Sequence, residues 1–493
     1  MSSLPNDEDA APETLLARDL DVRLSAPGAI DARCFEEFIA TQRRLGLTHG
    51  ERALGRHLRP IVIGEARYRA ISRAAELVLS ALGTVAARAP ADERLADALG
   101  LSAAERALAE IDPGYPQALA VGRLDMLLDG DDFHVLELNA DSPAGITDQA
   151  MIHRALANLP HMRALAEGGG VGSVTHRVTA HVPAPQNKLV GALADVFAAW
   201  SGGRRLGTIA IVDWLGVDTT GELQAVAELL NDAGYEAVCV DPDQLSYARG
   251  RLRAEVADVV RDGRRTRVGS MEIDLVYRRV ITSELVSRRG MDHPLIRAYR
   301  ARDVCVANSF RTKALNKKAA FAVLTDPHHG DLFSDEQRRA IAAHVPWTRR
   351  VGPALADDLI ARREQLVLKP NDEYGGKGVL LGWTTPPDVW AAAVAQAAAT
   401  DADAMVAQER SRTSTVRLPT FTDQVVYEDV YFDVCPFLFA GQAEGAMVRV
   451  SATPVCNVSA GAGIAAVVVA SSVAGPRANA AADGAPSPGA DGV

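Results

Sequence analysis

Residues 121–141, "VGRLDMLLDGDDFHVLELNAD", hold two apolar runs joined by an acidic turn with one glycine. Their alternation predicts a β-hairpin, with Leu124, Met126 and Leu128 on one face and Arg123 and Asp125 on the other. In the second run Leu136 and Leu138 are expected in the core, while Glu137, Asn139 and Asp141 share the opposite face. Register depends on the turn. A three-residue loop over 130–132 sets Asp125 opposite Glu137 and Arg123 opposite Asn139; a two-residue Asp-Gly turn would put them on opposite faces. The odd loop is the expectation, because it gathers oxygen ligands on one surface. Carboxylates that close repel each other unless a cation lies between them. The pattern therefore points to a divalent metal, with a solvated polar hairpin as the plain alternative.

The rest of the chain divides by composition. Residues 1–25 and 474–493 are poor in bulky side chains and read as disordered tails. Over 26–115 apolar residues recur at helical spacing, and Ser102 with Glu105 forms a capping-box signature. The hairpin belongs to a segment spanning 116–205, which also contains "EGGGVGS", a linker rather than a P-loop because no Lys-Ser or Lys-Thr follows it. Residues 206–310 alternate strands ("LGTIAIVDW", "YEAVCVDP", "EIDLVYRRV", "RDVCVAN") with helices, an α/β, Rossmann-like pattern without GxGxxG after its first strand. A mixed, strand-rich segment fills 311–473.

Bulk properties narrow the partners. With 493 residues there is room for two or three packed domains, and a net charge of −11 argues against nucleic acid or an anionic membrane. The five cysteines are dispersed without CxxC spacing, which fits buried free thiols in a reducing compartment. "MSSLPNDEDAAPETLL" has no apolar h-region, and no run of eighteen apolar residues occurs. A cytoplasmic protein with small-molecule partners is expected, with homo-oligomerisation left open.

A second informative stretch is "LKPNDEYGGKGV". Lys369 closes an apolar strand, and Gly375, Gly376, Lys377 and Gly378 follow in a polar turn. Glycines let the backbone approach an anion closely, and lysines add charge, so this loop suits a phosphate; an ordinary hairpin turn would look similar. Upstream stands "LNKKAA", with Lys317 and Lys318, and downstream "MVAQER", with Gln408 and Glu409.

Taken in order, these motifs resemble the circularly permuted ATP-grasp family, in particular the synthetase domain of glutathionylspermidine synthase. The matching residues are Arg123/Asp125, Glu137/Asn139/Asp141/Pro143, Asn316/Lys317, Lys369/Pro370, Gln408/Glu409 and Arg449, spread over roughly residues 115–470. The resemblance implies an α/β (α+β) ATP-grasp fold with a Rossmann-like pre-ATP-grasp domain and an N-terminal helical segment. It implies ATP held by Lys317, Lys369, Gly375, Gly376, Lys377, Gln408 and Glu409, and Mg²⁺ held by Asp125, Glu137 and Asn139. Arg123 and Arg449 are then the catalytic pair that stabilises a tetrahedral oxyanion; a salt bridge to Asp125 and an exposed sheet position are their respective bland readings. The loop departs from the family's Arg-Glu-Gly type, which shifts the γ-phosphate contact to Lys377. The expected reaction joins a carboxylate to an amine through an acyl phosphate. Its competitors are a ligase acting on a natural-product scaffold, a small-molecule kinase and a non-catalytic nucleotide-binding subunit.

Several signals stay secondary. Ser142 and Thr147 follow the metal acids and would reach a carboxylate substrate or serve as caps. Asn457 and Ser459 would line the same cavity or form a tight turn. Tyr277, Arg278 and Arg279 end a strand of the middle segment, where an inter-domain ion pair is the favoured reading. His328 and His329 lack a third metal ligand and read as surface loop, as does "RRTR" at 264–267.

Overall fold

The computed structural model describes residues 10–26, 28–167, 177–256, 259–261, 264–266, 269–399 and 404–473. Within them the chain is mixed α/β, built around three sheets that matter for the site. The largest is antiparallel and six-stranded. Its order is Gly463–Ala465, Gln442–Ser451, Val425–Phe439, Val121–Asp129 and Asp132–Asn139, with Thr415–Phe421 pairing the long strand Val425–Phe439. The early hairpin and the late strands are thus one sheet, joined where Val434 pairs with Met126 and Phe437 with Arg123.

A four-stranded parallel sheet runs Cys305–Ala307, Leu275–Arg278, Thr208–Val212, Glu236–Val240, uniting the four strands expected between 206 and 310. The third sheet, Thr348–Arg350, Met405–Glu409, Leu366–Pro370, Leu380–Leu381, is antiparallel and carries Lys369 and Gln408. Its own small core forms around Leu366, Leu368, Trp390 and Ala407.

The hairpin register differs from expectation in mechanism but not in outcome. Asp129 pairs Asp132, so the turn has two residues, Gly130 and Asp131. A β-bulge between Asp125 and Met126 then adds one residue to the partner strand, and Asp125 still faces Glu137 and Arg123 still faces Asn139. The bulge also corrects the placing of Leu136. Only Leu138 enters the core, whereas Leu136 lines the cleft described below.

The first 25 residues are not simply a tail. Pro12–Leu24 is a helix whose Leu16, Leu20 and Leu24 are buried, the first two against Val178, Val468 and Ala470. Leucines four apart make a stripe along one face, and that stripe outweighs the acidic flank. The expected C-terminal tail and the "GGGVGS" of the linker lie outside the described residues.

In the helical segment, Glu65–Arg88 buries Ile71, Ala75, Val78, Leu82 and Val85 in the main core. With the turn that follows, it is long and apolar enough to cross a membrane, yet half of its apolar window is buried inside the protein. The Ser102–Glu105 capping box forms as expected. All five cysteines are free; Cys305, Cys435 and Cys456 are buried and Cys34 and Cys239 partly so.

Candidate active site

Between the six-stranded sheet and the sheet carrying Lys369 lies a cleft lined by Asp125, Leu136, Glu137, Lys318, Lys369, the glycine loop, Gln408, Asp433 and Arg449. Local structure explains its polar floor. Arg123 and Asp125 lie two residues apart on one strand, so their side chains share a face. Arg123 Nε donates to Asp125 Oδ1 at 2.9 Å and Nη1 to the Ala144 carbonyl at 2.8 Å. Arg449, directly across the sheet from Asp433, donates Nη2 to both Asp433 Oδ2 (2.5 Å) and Asp125 Oδ2 (2.8 Å). Burial raises the Asp125 pKa, but Arg123 and Arg449 outweigh it and hold the carboxyl well below the usual range. The expected bland reading of Arg123, a salt bridge to Asp125, is therefore its observed contact. Arg449 is largely covered, its side chain 11% exposed, rather than an exposed sheet residue.

Glu137 faces the cleft half-buried, with Lys318 Nζ 3.3 Å from its Oε2. Asn139 donates Nδ2 to Asp125 Oδ1 at 3.2 Å. Among the described residues no three His, Cys, Asp or Glu side chains converge on one point. Mg²⁺ does not require that, since it is commonly held by one or two carboxylates plus substrate phosphates and water. Asp125, Glu137 and the Asn139 amide, all hard oxygen donors on one surface, fit such an ion. Asp141 does not join them. It is fully buried and bound to Arg278 (2.6 Å) and to the Thr282 amide and hydroxyl.

The lysines require one correction. Lys317 turns away from the cleft to Glu105 and Asp372, each at 3.0 Å. Its neighbour Lys318 lines the cleft and donates to the Glu373 carbonyl at 2.6 Å. The short helix Lys313–Asn316 ends just before them, with Lys317 extended and Lys318 capping the next helix, and so the two side chains diverge. Lys369 is buried, donates to Gln408 Oε1 at 2.6 Å, and is lowered by burial to about 8, partly offset by Glu137. Gln408 is in turn held by Thr348 Oγ1, so its side chain positions Lys369. Glu409 sits at the cleft rim, half exposed and paired with Arg362.

Gly375, Gly376 and Gly378 all adopt left-handed backbone, φ +70° to +72°. At Gly376 a Cβ would stand 3.4 Å from Asn457, and at Gly375 3.8 Å from Ser459, so the loop lies against the turn bearing those residues. Lys377 projects into solvent, 78% exposed, within 3.6 Å of Glu373. Tyr374 ties the loop to the middle segment through a 2.9 Å hydrogen bond from its hydroxyl to Glu284.

The cleft opens into an adjoining cavity of about 530 Å³, which shares Asp125, Glu137, Lys318, Arg449 and Asn457 and adds Arg123, Asn139, Ser142, Asp148, Glu222, Arg279 and Ser459. Arg279 donates to Ser142 Oγ and Glu222 Oε2, both at 3.2 Å, at the wall of this cavity. Glu222 belongs to the same middle segment; the ion pair that reaches across to the hairpin's segment is Arg278 with Asp141. Thr147 is buried with no partner for its hydroxyl among the described residues. Among the described residues His328 pairs with Asp326 alone, and residues 264–266 form a short strand.

Sequence reasoning missed Asp433, Asp148, Glu222 and Tyr374. Asp433 left a signal, a lone carboxylate inside the apolar run "VYFDVCPF". Nothing in the sequence distinguished Asp148 or Glu222 from ordinary helix-start acids.

No family model matches the chain. Over 192 residues, 38% of the chain, it is 32% identical to the putative glutamate–cysteine ligase 2-3 of Frankia alni, and the match spans 21% of that protein. Over 115 residues it is 31% identical to the putative glutamate–cysteine ligase 2-2 of Frankia casuarinae, spanning 13% of that protein. The chain thus spans about a fifth of the first of these relatives and less of the second. Among solved structures, the apo form of a glutathione synthetase-like effector from Globodera pallida superposes with a TM-score of 0.54 at 13% identity. That superposition covers 95% of this chain and all of the effector, so the two share a mixed α/β fold.

Proposed function

We propose that this chain is an ATP-dependent carboxylate–amine ligase with a circularly permuted ATP-grasp site, forming an amide through an acyl phosphate and releasing ADP and phosphate. The observation that carries the reading is the meeting, in one cleft, of three groups far apart in sequence. Asp125, Glu137 and Asn139 lie on the hairpin, Lys318 and Lys369 stand beside the glycine loop, and Arg449 comes from a late strand. The similarity to proteins named glutamate–cysteine ligases points the same way and makes glutamate the first carboxylate to test.

Asp125, Glu137 and Asn139 would hold Mg²⁺, which when bound neutralises phosphate charge. Lys369 and Lys318 would bind the nucleotide's phosphates, and the left-handed glycines let the loop backbone come close to them. Gln408 keeps Lys369 aimed into the cleft. The substrate carboxylate takes the γ-phosphoryl group, and the amine then attacks the acyl carbon. The oxyanion formed there needs fixed cationic donors, a role that Arg123 and Arg449 fill from the cleft floor.

The test is hydroxamate formation and ADP release with Mg-ATP, hydroxylamine and a panel of carboxylates headed by L-glutamate, comparing wild type with Glu137→Ala. Carboxylate-dependent hydroxamate that disappears in the variant is the expected result. Failure to bind ATP would overturn the reading.

A further inference from the structure

The cavity beside the nucleotide cleft holds a carboxylate that the chemistry above leaves idle and that no side chain among the described residues partners. Asp148 is the first residue of the helix Asp148–Ala157, and its side chain lines the cavity together with Arg123, Asp125, Glu137 and Arg449. Of the other acids lining this cavity, Asp213 accepts from the Trp214 amide, Asp218 lies near His49, and two are tightly held. Asp141 is bound by Arg278 and Thr282, and Glu222 accepts from the Gly145 and Ile146 amides and from Arg279. The backbone N–H of Asp148 donates to the Gly145 carbonyl, but its carboxylate has no hydrogen bond or ion pair among the described residues and feels its neighbours through their charge. The turn before it is shaped to leave room. Gly145 is left-handed (φ +90°), and a Cβ there would meet Met447 Sδ at 2.4 Å and Asp148 Oδ2 at 3.3 Å.

We propose that Asp148 is the catalytic base that takes the proton from the incoming amine. The inference rests on the ligase reading. Protons and bonds balance as follows. The amine enters as an ammonium and gives one proton to the Asp148 carboxylate. The neutral nitrogen attacks the acyl carbon, forming the C–N bond as the C–O bond to phosphate breaks. The phosphate leaves with the electron pair and takes the nitrogen's second proton, and Asp148 returns its own to water.

The surroundings suit that duty. Burial, and next the Glu222 carboxylate on the helix Thr220–Asp232, push Asp148 up to about 7. Arg123 on the hairpin and Arg279 beyond the strand Leu275–Arg278 act in the opposite sense. The packed strand Gln442–Ser451 presents neutral Met447 at this point. A base with its pKa near the working pH is both available as the anion and basic enough to accept a proton. Arg123 links the two functions, since it feels Asp148 and also stands at the cleft floor.

The experiment compares wild type, Asp148→Asn and Asp148→Glu with two nucleophiles. Hydroxylamine is already unprotonated at neutral pH and needs no base; an aliphatic amine, taken from cysteine, glycine and ethanolamine, arrives protonated. Wild-type hydroxamate establishes carboxylate activation by itself, and wild-type amide formation with the aliphatic amine separates a ligase from a kinase. With both in hand, Asp148→Asn is expected to keep hydroxamate formation within about threefold while amide formation falls about a hundredfold, the lower end of general-base contributions. The wild-type amide rate should rise with pH through about 7. That limb should vanish in Asp148→Asn and return, shifted, in Asp148→Glu. Equal losses with both nucleophiles, or no loss with either, would overturn the role of Asp148. Absence of hydroxamate from the wild type would instead overturn the ligase reading.

Discussion

Arg449 donates Nη2 to Asp125 Oδ2 across 2.8 Å, although 324 residues separate them in the chain. The same guanidinium holds Asp433 through Nε and Nη2, so one cation compensates two buried carboxylates. Asp125 also accepts from Arg123. The floor of the cleft is therefore a closed charge cluster whose members come from both ends of the described chain.

Removing Arg449 should cost stability as well as activity. Arg449→Ala leaves Asp125 and Asp433 buried without their shared cation, and breaking a buried pair costs about 3–5 kcal/mol. Equilibrium urea unfolding checks the loss. Arg449→Lys restores charge without the planar fork and should recover only part of it.

Lys317 and Lys318 should separate cleanly. Lys318→Ala removes a cleft cation and should weaken ATP binding by about ten- to a hundredfold, in line with about 1.5–3 kcal/mol for a hydrogen bond to a charged group. Lys317→Ala breaks the contacts to Glu105 and Asp372 and should cost about 3 kcal/mol of stability, with nucleotide affinity little changed. Calorimetric titration with Mg-ATP, paired with denaturation of each variant, distinguishes the two. The reverse pattern would restore Lys317 to the nucleotide site.

Nucleotide binding should take up protons just above pH 8. Burial lowers Lys369 to about 8, so its neutral form predominates at higher pH. Phosphates favour the ammonium form and raise that pKa, hence uptake rather than release, and affinity should fall as pH climbs past 8. Titrations in buffers of different ionisation enthalpy measure the proton count, and Lys369→Met should abolish it.

The glycine loop should tolerate Gly375→Ala better than Gly378→Ala. Both positions are left-handed, which costs a non-glycine residue about 1–2 kcal/mol. At Gly378 the new Cβ would also press within 2.8 Å of Pro370 Cγ, whereas at Gly375 the nearest atom is 3.8 Å away. ATP affinity should drop further for Gly378→Ala, read by the same titration.

Local pattern carried much of this structure. The hairpin faces were legible because side chains alternate along a strand, and the capping box at Ser102 because its two partners lie three residues apart. The bulge that sets the hairpin register was not, since an extra residue leaves no mark in the alternation. The N-terminal helix was hidden behind acidic composition, although Leu16, Leu20 and Leu24 have the spacing of a buried stripe. The choice between Lys317 and Lys318 lay beyond reach because the orientation of adjacent lysines depends on where a helix breaks. Asp148 and Glu222 acquire their meaning only when the turn at Gly145 brings two helix starts together.

The most direct test of the central claim follows oxygen. A carboxylate that forms hydroxamate, labelled in its carboxyl group with heavy oxygen, should pass one labelled atom to inorganic phosphate for each amide made. That transfer is the signature of an acyl phosphate. Amide formed with unlabelled phosphate would contradict the account.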